Sequence, residues 1–328
     1  MIISRTPFRV SFFGGGTDFP EFYSHHGGAV LTTTIDKFCY ITIHRLAPFF
    51  KYRFKANYAR TETVMNLSEI QHPLIRESLM MMGVSDGIEI AHVSDLPGRT
   101  GLGTSSSFTV GLLHALHAYF KKSVPPEQLA REAITIERER VKDPGGHQDQ
   151  YAAAYGGLLR LDFSGASHVA VKRLAIPASR TAELQSYLMM FYTGMEQSAD
   201  HILTEQKSNV KQNVPALLEM LKMVDTAEHI LVGKGDLRQF GELLHESWTR
   251  KKTLSSQITN GMVDQAYETA RACGAIGGKL LGAGGRGFLL VFAPPERHAA
   301  IREKLTALQE VPFSLSHEGS RIIFKATD

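Results

Sequence analysis

The sequence predicts an α+β protein built in two lobes, and three observations predict it. The chain has 328 residues, 43% of them hydrophobic, which approaches two ordinary domain lengths and suffices for a sizeable core. Its first third alternates short strand-like runs with glycine-rich punctuation. Its second half reads strand, helix, helix, strand, helix, strand, the order of a small α+β sandwich distinct from the first. A soft boundary near Pro177 divides residues 1–175 from residues 176–328.

In the first lobe, residues 8–13 form a strand that stops at Gly14, Gly15 and Gly16, and residues 29–35 and 40–43 give two more. From Thr104 the period changes: Phe108, Leu112, Leu116 and Tyr119 recur at helical spacing behind hydroxyl residues suited to an N-cap. A second helix over 127–141 follows Pro125 and Pro126, which a helix start tolerates. A third, over 149–155, closes at Gly156 and Gly157, and then Leu159, Leu161 and Phe163 alternate as in a strand. The second lobe opens with a strand over 187–192 and continues as helix from Ala199 to Cys273, broken near Gly233 and Gly235. A glycine-rich turn, a buried strand over 287–292 stopped by Pro294 and Pro295, a helix, and a strand over 320–325 finish the chain.

Composition excludes several function classes. A formal net charge of +3, with both signs interspersed, does not suit nucleic acid and does suit anionic small molecules. Cys39 and Cys273 lie far apart in no metal-ligand spacing, so they read as structural thiols in a reducing compartment. His25 with His26, and His114 with His117, lack partners at zinc-site spacing. The first residues carry no signal-peptide pattern and no apolar run reaches membrane-spanning length, so a soluble cytoplasmic protein without membrane partners is expected. A homodimer is left open.

Four segments could carry chemistry. Pro97, Gly98, Arg99, Thr100, Gly101, Leu102, Gly103, Thr104, Ser105, Ser106 and Ser107 run directly into a helix. Glycines let backbone wrap a ligand, and the helix start offers unpaired N–H groups and a positive dipole end, so a phosphate cradle follows; a capped glycine turn is the plainer alternative. No lysine follows the second glycine, so this is not a Walker A loop, and Gly277, Gly278, Lys279 and Leu280 fail too because leucine cannot ligate metal. Residues 282–287 match G-x-G-x-x-G, but they read as following a helix and preceding a strand, the reverse of a dinucleotide site, which disfavours an oxidoreductase. A backbone-rich loop near a ligand and a structural turn both remain open there.

Asp149 begins a helix just after a flexible turn, where the dipole favours an ionised carboxylate suited to a general base or a metal ligand; an N-cap is the alternative. Glu137 lies among Arg138, Glu139 and Arg140, where a solvated face is the default. Arg9 stands before the Gly14 to Asp18 turn, an arrangement for a hydroxylated substrate or a local ion pair.

In their order and over nearly the whole chain, these segments resemble the GHMP kinases: galactokinase, homoserine kinase, mevalonate kinase and phosphomevalonate kinase. Residues 97–107 resemble the family's P-x-x-x-G-L-G-S-S-A-A loop, with Thr104 for the first serine and Ser106 and Ser107 for the alanines. Residues 279–287 resemble its C-terminal glycine motif, with Arg286 where glycine is usual. The resemblance implies the GHMP kinase fold: an N-terminal α/β domain of ribosomal-protein type with a left-handed βαβ crossover, a ferredoxin-like C-terminal α+β domain, and an active site between them. It implies ATP and Mg²⁺. Asp149 matches the family's base and Arg9 an arginine beside the transferred phosphoryl group. Ser105 and Glu137 match its Mg²⁺ contacts, and residues 97–106 with Gly284 and Gly285 its ATP phosphate site. Gly15, Gly16, Thr17, Asp18, Gly146, His147, Thr193 and Gly194 fall at the acceptor site.

Galactokinases have Glu-His where this chain has Gly15 and Gly16. The Gly14 to Pro20 form, together with the Tyr192 to Asp200 segment and Trp248 before Lys251 and Lys252, looks most like the heptose 7-phosphate kinase branch, which phosphorylates the anomeric hydroxyl to give the 1,7-bisphosphate. Fucokinase-like and other neutral-sugar kinases are the nearest competitors. A non-catalytic nucleotide or sugar sensor is disfavoured because Asp149, Glu137 and Ser105 are all retained. A sugar phosphate needs cations of its own: Lys251 and Lys252 beside Arg250 are the leading set, Arg138 and Arg140 the second, and exposed helix charges the plain alternative.

Overall fold

Two long strands form the spine: Ile2–Phe13, of 12 residues, and Gly28–Arg45, of 18 residues, paired antiparallel along most of their length. The computed structural model describes residues 1–328 apart from 86, 195–198, 234, 327 and 328. The two strands expected over 29–35 and 40–43 are one continuous strand. It serves two partners in turn: residues 28–33 pair with Leu158–Ser164 and residues 39–45 with Ile88–Ser94, and polar Asp36 and Lys37 mark the change.

Among the described residues this sheet has nine strands, ordered along its main path Arg321–Lys325, Ile2–Phe13, Gly28–Arg45, Ile88–Ser94, Phe54–Asn57, Thr61–Val64. The second sheet has four antiparallel strands in the order Gln309–Glu310, Leu188–Tyr192, Phe288–Phe292, Gly277–Leu280. The last strand of the chain does not close the second-half sandwich. It pairs with Ile2–Phe13, and Leu315–Ser316 pairs with residues 34–35, so a cut at 175/176 runs through the first sheet. An N-terminal strand rich in isoleucine and phenylalanine is thereby spared an open edge.

Helix Thr104–Tyr119 packs on both long strands, and Ser4 Oγ donates to the Gly111 carbonyl at 2.7 Å. The helix expected over 127–141 is α-helical only over Pro126–Ile134 and widens to π geometry over Thr135–Arg140. Such bulges rotate side chains off the ordinary helical stripe. In the second half, helices Ala199–Ser208, Val210–Val232, Arg238–Lys252 and Gly261–Ala272 precede the Gly277–Leu280 strand. The halves share apolar packing: Phe240, from the third of these helices, meets Phe12 and Phe13 edge to face at 5.4 and 5.1 Å. Among the described residues no helix is long and apolar enough to cross a membrane.

Candidate active site

The cleft is made where two glycine loops touch. The first, residues 97–103, leads into Thr104–Tyr119; the second, residues 281–287, joins strands Gly277–Leu280 and Phe288–Phe292. Contrary to the helix-then-strand reading, the second loop follows a strand. Gly101 (φ 81°) and Gly282 (φ 77°) lie backbone to backbone: a Cβ on Gly101 would sit 2.2 Å from the Leu281 carbonyl oxygen, and one on Gly282 would sit 2.3 Å from Gly101 Cα. No side chain fits at either position.

Arg9, only 5% exposed, points into this junction from the first strand. Its guanidinium grips both oxygens of Asp149, Nε to Oδ1 at 2.7 Å and Nη2 to Oδ2 at 2.8 Å, while Nη1 donates to the Gly101 carbonyl at 2.6 Å. Asp149 stands in the first turn of Gln148–Tyr155. Close by, buried Asp18 accepts from the Gly16 amide at 2.9 Å and Gln148 Nε2 at 3.0 Å. Burial raises its pKa above the ordinary aspartate value; the Gly16 hydrogen bond opposes the shift and the charge of Asp149 adds to it. A buried carboxylate with directed lone pairs, beside an arginine-held carboxylate, can orient a polyhydroxylated acceptor and receive a proton from it.

Glu137 is not on a solvated face. The π turn buries it to 1% exposure, where Oε2 accepts from Ser106 Oγ at 2.8 Å and Gln150 Nε2 at 2.6 Å. Burial raises its pKa and Arg138 opposes the rise. Its Oε1 is buried without a hydrogen-bond partner. Among the described residues no cluster of three or more His, Cys, Asp or Glu side chains could by itself hold a metal. Glu137 lines the cavity and carries this one orphaned carboxylate oxygen, a donor that nevertheless fits Mg²⁺, which takes one or two protein carboxylates and completes its shell with phosphates and water. Ser106, not Ser105, touches Glu137; Ser105 lies exposed at the cavity wall.

Two buried amines complete the cleft. Lys251, 6% exposed, donates from Nζ to the Gly282 carbonyl. Burial pushes its pKa down to about 8; Arg9 adds to the drop, and Asp18 and Asp149 oppose it. Lys279 donates to the Phe12 carbonyl at 2.9 Å, and burial, then Lys251, hold its pKa well below the usual lysine value. In the sequence Lys279 reads only as part of a failed Walker motif. Its strand position between glycines, next to the second loop, is the signal that could have found it. The basic run at 250–252 splits, because successive helix residues point about 100° apart. Arg250 pairs with Glu246 at 2.9 Å and Lys252 with Asp264 at 3.2 Å, so neither lines the cavity. Arg138 does line it, bound to the Gly146 carbonyl, whereas Arg140 faces Glu77.

These groups surround one cavity of about 770 Å³. Gly15, Gly16, Asp18, Gly98, Arg99, Gly101, Gly103, Thr104, Ser105, Ser106, Glu137, Gly146, Asp149, Lys251 and Gly284 line it together with Arg9. Tyr58, His72, His92 and Phe108 wall one end. The remaining expected site residues support the walls. Thr17 Oγ1 donates to the Gly14 carbonyl at 2.8 Å, and His147 Nδ1 pairs with Tyr23 Oη at 2.9 Å, its pKa lowered by burial to about 4. Thr100 turns back to the Pro97 carbonyl at 2.9 Å, and Leu102 is core. Gly285 binds Ile258 and Asn260, Thr193 bonds the Gly287 amide at 3.0 Å, and Gly194 packs on Arg286. Of the Tyr192 to Asp200 segment, residues 195–198 lie outside the described residues.

The family description "GHMP kinases N terminal domain" matches residues 69–157 and "GHMP kinases C terminal" matches residues 226–310, together just over half of the chain. The chain belongs to the GHMP kinases. It is thus a phosphotransferase with an alcohol-group acceptor, and the two-domain arrangement above is the GHMP kinase fold. The chain is 27% identical to a D-glycero-alpha-D-manno-heptose 7-phosphate kinase of Campylobacter jejuni, over 97% of each chain. It is 25% identical to an L-fucokinase/L-fucose-1-P guanylyltransferase of Bacteroides fragilis over 93% of this chain and 36% of that one. The crystal structure of a D-glycero-D-manno-heptose 1-phosphate kinase of Bacteroides thetaiotaomicron superposes with a TM-score of 0.74 at 25% identity, covering 100% of both chains.

Proposed function

We propose that this sugar kinase transfers the γ-phosphoryl group of ATP to the anomeric hydroxyl of D-glycero-D-manno-heptose 7-phosphate, giving the 1,7-bisphosphate and ADP. The observation that carries the chemistry is the Arg9–Asp149 pair, held at the junction of both glycine loops and next to buried Asp18. Asp18 orients acceptor hydroxyls through its remaining lone pairs. Asp149 receives the proton of the attacking hydroxyl, and Arg9 balances the charge that develops there. The amides of residues 101–106, at the start of a helix whose dipole favours anions, bind the nucleotide phosphates. Glu137 Oε1, with Ser105 or Ser106, would hold Mg²⁺, which when bound neutralises phosphate charge.

Three points support the heptose phosphate as acceptor. One is the end-to-end likeness to the Campylobacter jejuni enzyme. Another is the Gly14 to Pro20 form of the acceptor loop. The third is Arg286, which stands where the family usually has glycine, lines the cavity, and makes no ion pair with the described residues. A guanidinium on the cavity wall suits a second anionic group on the acceptor. An ADP-release assay with heptose 7-phosphate, fucose, galactose and mannose tests the reading. The highest kcat/KM is expected for heptose 7-phosphate, with the new phosphate on C1. A preference for fucose would give the function to the neutral-sugar kinases, in line with the Bacteroides fragilis relative.

A further inference from the structure

Lys251 is one of two buried amines of the cleft that the scheme above does not use; the other, Lys279, is turned to the Phe12 carbonyl at 2.9 Å. The expectation that it binds the acceptor's own phosphate, away from the nucleotide, does not match its surroundings. Its amine rests on the Gly282 carbonyl, at the point where Gly282 abuts Gly101. Arg9 rests on the Gly101 carbonyl at 2.6 Å. Each of the touching loops thus fixes one cation by one carbonyl, and both cations line the same cavity as Asp149. The charged groups that face Lys251 are Arg9 on the first strand, Asp18 in the acceptor loop, Asp149 at its helix start and Lys279 on the strand before the second loop.

We propose that Lys251 is a second catalytic cation of this kinase, contacting the transferred phosphoryl group opposite Arg9. In the step, the acceptor oxygen bonds to the γ-phosphorus and the bond from that phosphorus to the β,γ-bridging oxygen breaks. ADP leaves with the electron pair, and the acceptor proton passes to Asp149. Negative charge on the equatorial oxygens then lies between two fixed cations, whose donors need no reorganisation. The burial that depresses the amine's pKa is the cost of holding an ammonium there, and an incoming polyphosphate offsets it. The inference rests on phosphoryl transfer in this cavity and not on which sugar accepts.

The test uses Lys251→Met and Lys251→Arg, with whichever acceptor of the panel the wild type turns over fastest, so an error in the acceptor leaves the comparison intact. Lys251→Met should lower kcat roughly 10²- to 10³-fold, the worth of one fixed donor at developing charge. Calorimetry should show ATP affinity within about threefold of wild type, separating this loss from misfolding. The wild-type kcat/KM should fall with pH above about 8, as the free enzyme's Lys251 loses its proton. Both variants should lack that limb, since methionine does not titrate and arginine stays charged. A Lys251→Met kcat within about threefold of wild type, or a limb near the same pH retained in either variant, overturns the proposal.

Discussion

The two glycine loops look alike in composition and share one task, each holding a cation by a carbonyl, but differ in what else they present. Residues 97–103 give one carbonyl, that of Gly101, to Arg9, but they run into a helix whose first-turn N–H groups, with the hydroxyls of Thr104, Ser105 and Ser106, are the donors that an anion needs. Residues 281–287 join two strands, and what they present are carbonyls: Gly282 to Lys251, Ala283 to Gln206, Gly285 to Asn260. The second loop therefore organises Lys251 and neighbouring side chains, and the first, besides fixing Arg9, leads into the donors that bind. A glycine pattern indicates close approach of backbone; the element that follows it decides whether donors or acceptors face the ligand.

The largest expected effect lies on the donor side. Asp149→Asn should lower turnover roughly 10²- to 10⁴-fold with ATP binding retained, because it removes the proton acceptor that the first loop and Arg9 hold in place. A near-wild-type kcat would take Asp149 out of that role and weaken the distinction between the loops. Next come the glycines at the junction. Gly101→Ala and Gly282→Ala each drive a Cβ into the opposite backbone, which should cost about 1–3 kcal/mol in a thermal melt and also reduce kcat. Gly98→Ala, whose Cβ would meet nothing within 4 Å, should leave the melt unchanged. Equal behaviour of all three would mean that the loops do not depend on touching.

Glu137→Gln and Ser106→Ala should raise the Mg²⁺ concentration for half-maximal rate by roughly tenfold, since one removes a ligand's charge and the other its orienting hydroxyl. A titration of rate against Mg²⁺ at fixed ATP reads this, and an unchanged midpoint would sever Glu137 from the metal. The smallest effect concerns Asp18. Burial raises its pKa, so its ionised form is disfavoured in the fold relative to the unfolded chain, and that penalty is fully present above the folded pKa. Asp18→Asn should weaken acceptor binding yet raise Tm at pH 7 by about 2–4 °C for each ~1 kcal/mol relieved. The gain should shrink as pH falls towards the ordinary aspartate value near 4, where wild-type Asp18 becomes protonated in both states. A Tm difference independent of pH would contradict the burial argument.

Much of the cleft was legible because it is local. The 97–107 loop, the helix from Thr104, Arg9, Asp18 and Asp149 all sit in short motifs whose turn and cap chemistry is written in adjacent residues. Arrangements set by tertiary packing were not legible. Glu137 lies in a charged run that reads as solvated, and only the π turn carries it inward to Ser106 and Gln150. Lys251 and Lys252 are neighbours in sequence but a helix sends one to Gly282 and the other to Asp264. Strand Gly277–Leu280 has two glycines in four residues, so its β propensity is low and only pairing with Phe288–Phe292 makes it a strand. The return of Arg321–Lys325 to the first sheet is likewise a long-range pairing that no nearby residue announces.

The most direct test of the account compares heptose 7-phosphate with free heptose in the wild-type enzyme. A kinase built for a phosphorylated acceptor loses charge-assisted hydrogen bonds of ~1.5–3 kcal/mol each when the 7-phosphate is missing. The free sugar should therefore show a kcat/KM lower by at least about tenfold. Equal kcat/KM for the two acceptors would contradict the account and leave a GHMP kinase of neutral sugars.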